Sequence, residues 1–162
     1  MKSLITILLF VISSGLAHPQ TLMPVDLEKE KAELLRLHKA DREAHFKTDV
    51  DLLQQSSPEE FISVGEGKIY RTNKAAERKQ FEGYFRGAKY HEWDDVEEPI
   101  IRISKDGSMA WVVTRIKVRR TQKDAAGVET ERKFIYAGIM TYEKKAGKWV
   151  RIANVSTFEP LN

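Results

Sequence analysis

After Gly87 the hydrophobic pattern changes from a helical period to a two-residue alternation, and it stays alternating to the end of the chain. Extended segments read at 89–95, 100–104, 109–122, 129–143 and 148–158. Three of the breaks between them, Lys105-Asp106-Gly107, residues 123–127 and residues 144–147, carry the Lys and Gly of tight hairpin turns, the first two with an Asp as well. A run of long antiparallel strands can bury only one face on its own core. The cover for that face has to come from what precedes it.

What precedes it is helical. From residue 25 to 47 there is neither Gly nor Pro, and Leu27, Leu34, Leu35, His38, His45 and, were the helix to run on, Leu52 fall on one stripe at 100° per residue. Thr48 with Asp51 predicts a cap for a short second helix at 49–54, ended by Ser56-Ser57-Pro58. A strand at 61–64 turns through Gly65-Glu66-Gly67 into 68–71, and Asn73 caps a third helix, 74–86, with Ala76, Phe81, Tyr84 and Phe85 on its apolar side. Three helices followed by strands define an α+β domain in which the helices cover one face of a single curved, mostly antiparallel sheet.

The first residues do not belong to that domain. Met1-Lys2 precedes an apolar run from Leu4 to Ile12, and Ser13-Ser14-Gly15-Leu16-Ala17 supplies small residues before a cut after Ala17. The run is too short to span a bilayer, which takes about 20 residues. Residues 1–17 read as a secretory signal and 18–162 as one domain with its core at 27–158, which places the protein in a periplasm or outside the cell. No membrane association is expected once the signal is removed. The sequence of 162 residues has no cysteine, so disulfides, thiolate metal sites and a cysteine nucleophile are excluded. With 27 Lys and Arg against 24 Asp and Glu, interspersed, a nucleic-acid partner is not expected.

Several strings, in this order, resemble the SnoaL-like branch of the nuclear transport factor 2-like superfamily: Pro58-Glu59-Glu60-Phe61-Ile62-Ser63-Val64, Phe81-Glu82-Gly83-Tyr84-Phe85, Trp93-Asp94-Asp95, the turn from Ser104 to Trp111, and Gly147-Lys148-Trp149 leading to Ser156. The resemblance spans about residues 27–158. It implies a cone, with one long and two shorter helices in the concavity of a bent sheet and an apolar pocket at the open end. That fold hosts isomerases, cyclases and dehydratases as well as plain binding proteins. Ketosteroid isomerase is similar in using a carboxylate base after the first strand and a tyrosine on the first helix. Here the base position falls at Gly65 or Glu66, and the first helix has no tyrosine.

The candidate chemistry sits on the first helix as His38-x-x-Asp41-x-x-x-His45. Spacings of three and four put Asp41 within reach of either imidazole, with Asp41 at the edge of the stripe. A carboxylate beside an imidazole fixes its tautomer and raises its basicity, as a general base requires. Either the three residues do acid/base work or they are satisfied wall residues. Metal is not expected, because His38 and His45 are about 10 Å apart along the axis while zinc needs ligands at about 2 Å. No cofactor motif is present.

A second group lies on 90–95, where alternation sends Tyr90, Glu92 and Asp94 to one face and His91, Trp93 and Asp95 to the other. Trp93 is expected inward, with Asp94 or Asp95 either at the solvent edge or at the cone mouth as a substrate carboxylate. In the long hairpin Trp111, Val113, Arg115 and Lys117 share a face, as do Phe134, Tyr136 and Met140. In one register Trp111, Phe134 and Tyr136 form an aromatic wall with Arg115 as its cation; in the other, Arg115, Lys117 and Arg119 form a solvated outer row.

Three functions follow. The first is an exported pocket protein for a small, mainly apolar organic ligand, with Trp93, Trp111, Arg115, Phe134 and Tyr136 as its ligand-binding residues. The second is an isomerase, cyclase or dehydratase using His38, Asp41 and His45. The third is a structural module that forms a homodimer through the sheet. N-terminal sequencing of the exported protein is expected to begin at His18; a full-length cytoplasmic product would contradict the signal reading.

Overall fold

A computed structural model describes residues 25–161. The expected signal segment at 1–17 lies outside the described residues. Helix α1 (Leu27–Lys47) starts at Asp26, whose carboxylate accepts the Lys29 amide N–H at 3.1 Å, and ends where Thr48 turns left-handed at φ 51°. Its buried face is Leu34, Leu37, His38, Ala40, Asp41 and Ala44. The expected stripe is thus rotated: Leu27 remains 47% exposed, and Asp41 lies inside rather than at the edge. A helix on a concave sheet is covered along a wider arc than the apolar residues alone outline.

Helix α2 (Val50–Leu53) is capped by Asp49, which accepts the Leu52 amide N–H at 3.0 Å. The Thr48–Asp51 cap does not form, because Thr48 is consumed in ending α1. Strands β1 (Glu60–Gly65) and β2 (Lys68–Asn73) pair antiparallel around Glu66 and Gly67, both at positive φ. Helix α3 (Lys74–Phe85) has Asn73 as its cap, accepting from the Ala76 amide at 2.9 Å. Its buried residues are Glu77 and Phe85, while Ala76, expected on the apolar side, faces solvent.

The alternating half forms β3 (Ala88–Asp95), β4 (Ile100–Ile103), β5 (Met109–Lys123), β6 (Glu129–Lys145) and β7 (Lys148–Pro160). The sheet order is β2-β1-β7-β6-β5-β3, with β4 also paired to β5. The β1–β7 pair is parallel and every other pair antiparallel. This is the expected α+β architecture, with two unbroken strands where a helix would have overturned it.

Two bulges bend the sheet. One, between Tyr90 and Glu92, breaks the expected alternation, so that Tyr90 and Trp93 both point inward, 5% and 8% exposed. The other, between Thr141 and Tyr142, sets Tyr142 opposite Arg151. The β5–β6 register pairs Val112 with Met140, Ile116 with Tyr136 and Val118 with Phe134. Phe134, Tyr136 and Met140 therefore share the inner face with the even-numbered residues of β5. Trp111 and Arg115 lie on the outer face and are not ligand-binding wall residues, because the register that would bring them to Phe134 and Tyr136 is displaced by one residue.

The core divides along α1. Leu34 and Leu37 pack with Ile101, Ala110, Val112, Tyr142 and Trp149. Farther along, Ala44 packs with Leu53, Phe85, Tyr90, Trp93, Ile116 and Val118. Glu30 fastens the start of the helix by accepting from Trp149 Nε1 at 2.8 Å and from Lys144 Nζ. On β6 Gly138 leaves room for the Tyr136 phenol to lie along its own strand, since a Cβ there would meet the Tyr136 hydroxyl and come within 2.8 Å of the Val155 carbonyl oxygen.

Candidate functional site

Between the helices and the sheet lies a cavity of about 860 Å³, partly open to solvent. Leu53, Phe81, Tyr84, Trp93, Ile116 and Phe134 contribute apolar wall, and Tyr70, Lys133 and Phe158 are among the more exposed lining residues. His38, Asp41 and His45 all line it, as do Trp93, Phe134 and Tyr136. Gly65 and Glu66 line it too, where the resemblance places a carboxylate base. Asp94 and Asp95 do not: Asp94 accepts from Arg42 Nη2 at 2.7 Å, and Asp95 accepts from His38.

One group of charges is fully enclosed. Arg151 on β7, 4% exposed, has Nη1 at 3.8 Å from Asp41 Oδ2 and Nη2 at 3.6 Å from Glu77 Oε1. The Phe61 ring lies 5.3 Å from its guanidinium carbon. Glu77 is held in turn by Gln54 Nε2 at 3.4 Å, and the Arg151 backbone N–H donates to Ser56 at 2.7 Å. Burial pushes the Asp41 carboxyl above its ordinary range, opposed by the positive charge of Arg151. Sequence reasoning missed Arg151, Glu77 and the buried Arg120. For Arg151 a signal existed: alternation from Trp149 puts it on the inner face, so an arginine was set inside a core strand.

The expected carboxylate–imidazole contacts on α1 do not form. His38 Nε2 lies 2.9 Å from both carboxylate oxygens of Asp95 across the gap to β3, so its partner comes from another element. His45 Nδ1 lies 2.7 Å from the Asp41 backbone carbonyl one turn back. A carbonyl oxygen only accepts, so Nδ1 carries the proton and donates, which leaves the Nε2 lone pair free. The ring sits among Trp93, Tyr90, Phe85 and Tyr84 at centroid distances of 4.8, 5.2, 5.5 and 6.1 Å. Burial there pushes the His45 pKa down from 6.5 to about 4, and the charges of Arg151 and Arg120 push the same way. The expected rise in a histidine pKa through Asp41 is overturned for His45, because Asp41 offers it a neutral carbonyl while its carboxylate turns to Arg151. Among the described residues no group of three metal-ligating side chains gathers.

The arrangement of helices and sheet is that of solved nuclear transport factor 2-like proteins. A ketosteroid isomerase-like protein from Erwinia carotovora atroseptica superposes with a TM-score of 0.61 at 17% identity, over 80% of this chain and 96% of that one. An NTF2-like protein with a cystatin-like fold from Novosphingobium aromaticivorans gives 0.59 at 14%, over 80% and 82%. An NTF2-like protein from Cytophaga hutchinsonii gives 0.58 at 16%, over 78% and 96%. The chain has the nuclear transport factor 2-like, cystatin-like fold. No family model and no curated protein matches its sequence.

Acidification provides a direct check on the site. Between pH 6.5 and about 4 the unfolded chain takes up a proton on His45 that the folded chain refuses, so stability falls as pH falls through that window, by on the order of 3 kcal/mol. Asp41 works in the opposite sense: its raised pKa lets the folded chain keep a proton that the unfolded chain releases, a contribution lost as pH rises through the folded value. Urea unfolding at pH 4.5 and 7 is expected to show a larger acid loss for the wild type than for His45→Phe. Equal losses would contradict a buried, neutral His45.

Proposed function

We propose that this chain is an exported small-molecule-binding protein whose cone takes a mainly apolar organic ligand. The observation that carries the reading is the cavity of about 860 Å³ with aromatic and aliphatic walls, open enough for entry and too large to be a packing defect. Trp93, Phe134 and Tyr136 are its ligand-facing aromatics. Export rests on the Met1–Ala17 pattern. A purely structural role is disfavoured, because a module needing only a sheet surface has no reason to keep its cone unfilled.

A second reading, acid–base catalysis in the same cone, draws on Asp41 and His45. Their pKa values are displaced in opposite directions from ordinary, one raised and one lowered, on the same wall. An isomerase, cyclase or dehydratase step would draw its proton transfer from His38, Asp41 or His45.

The partner we propose is a second copy, through the outer face of the sheet. Ile100, Val113, Ile139, Val155, Val64 and Ile69 stand opposite one another strand by strand, forming an apolar row across the outside of the sheet. Ile69 is 68% exposed and Val155 48%.

Mass spectrometry of molecules released from natively purified protein tests the ligand reading. One apolar organic compound in near-stoichiometric amount is the expected result. A protein that carries none and also binds no apolar probe of naphthalene size would overturn it.

A further inference from the structure

Within the proposed ligand pocket, and resting on that reading, several of the charged side chains already have partners. Arg151 faces Asp41 and Glu77, His38 holds Asp95, and Arg120 is covered by the rings of Tyr84 and Tyr90, its guanidinium carbon 4.6 and 5.8 Å from their centroids. The hydroxyls of Tyr136 and Thr114, the side-chain oxygen of Asn154, Glu77 Oε1, Arg120 Nε and Arg151 Nε and Nη2 have no hydrogen-bond partner, but these atoms are buried beneath the wall surface.

His45, like His38, keeps one ring nitrogen without a partner, and it does so inside an aromatic box. Its Nδ1–H is spent on the Asp41 carbonyl, which fixes the ring from the helix side. Nε2 is therefore on the far side of the ring, away from the helix backbone and toward the cavity that His45 lines. Among the described residues Nε2 has no hydrogen-bond partner, and it is not one of the sealed atoms. The flanking rings of Trp93, Tyr90, Phe85 and Tyr84 offer flat apolar surface around it.

We propose that His45 Nε2 is the polar anchor of the cone, and that it selects ligands carrying a hydroxyl donor on a flat apolar frame, a phenol or an enol, over the same frame without the donor. A lone pair held in one direction inside an aromatic box accepts one hydrogen bond and gives none. A ligand whose polar atom only accepts, such as an ether or a ketone, leaves Nε2 unpaired and meets an acceptor facing an acceptor. The polarity of selection thus follows from which ring nitrogen the Asp41 carbonyl occupies. It is fixed by the helix, since the carbonyl is the one four residues back.

The test compares 2-naphthol with 2-methoxynaphthalene, which keeps the frame and the oxygen but lacks the donor, by calorimetric titration of the full-length mature protein. Wild type is expected to prefer the naphthol by roughly tenfold. His45→Phe is expected to bind the two about equally while keeping its affinity for the ether, and His45→Gln, which restores an acceptor, to recover part of the preference. Equal binding by the wild type, or a preference that survives in His45→Phe, overturns the proposal while leaving the pocket reading in place. Binding of neither probe, by a protein that also carries no compound on purification, overturns both. Should His45→Phe fail to fold, His45→Leu takes its place as the acceptor-free variant, and the wild-type comparison stands by itself.

Discussion

A guanidinium stays protonated, so it can be buried inside an apolar cone only if other elements bring it counter-charge, and Arg151 draws that charge from both α1 and α3. Asp41 reaches it from the long helix and Glu77 from the third helix, while Phe61 on β1 covers it and Ser56 receives its backbone N–H. One residue on β7 thereby touches two helices, the neighbouring strand β1 and the α2–β1 connection. The two apolar clusters lie on either side of this point along α1, so the ionic group occupies the place where the core divides and the cavity begins. Hydrophobic burial alone would favour closing that gap. A charged group that must keep its partners at fixed distances holds it open.

The same commitment sorts the polar residues of the pocket into two kinds. Arg151 has Asp41 and Glu77 beside it as ion-pair partners at 3.8 and 3.6 Å, though Glu77 Oε1 and Arg151 Nη2 make no hydrogen bond, and Asp95 is occupied by His38, so each of these charges already has an opposite charge next to it. The His45 imidazole is of the other kind, a neutral group whose orientation is a by-product of helix geometry. A cone built this way suits ligands that are mainly apolar with one modest polar group. A strongly anionic ligand would have to compete with two carboxylates for Arg151, at a cost in desolvation.

Fold and site were legible to different depths. The change of period at Gly87, the turn residues at Asp106, Asp124 and Gly147, and the Asn73 cap carried the architecture, because each is a local rule obeyed locally. Tyr90 escaped the alternation rule because of a bulge, and Trp111 and Arg115 could not be assigned to a face because register is a pairing property that neither strand states alone. On α1 the wheel brought His38, Asp41 and His45 to the cavity but assigned the wrong partners. Their neighbours in sequence lost to Asp95 on β3 and Arg151 on β7, which sequence spacing does not reveal. Arg151 itself was readable as an inward position and unreadable as a role until Glu77 and Asp41 were seen around it.

The account turns on the Arg151 clamp, and the most direct measurement is equilibrium urea unfolding of Arg151→Met against the wild type at neutral pH. Methionine keeps the apolar volume and removes the charge, leaving Asp41 and Glu77 facing each other without a cation. The expected result is a loss of about 3 to 5 kcal/mol with the m-value nearly unchanged. A variant within about 0.5 kcal/mol of the wild type would show that the helices are held to the sheet by apolar packing alone, and the central role given to the buried charge would fall.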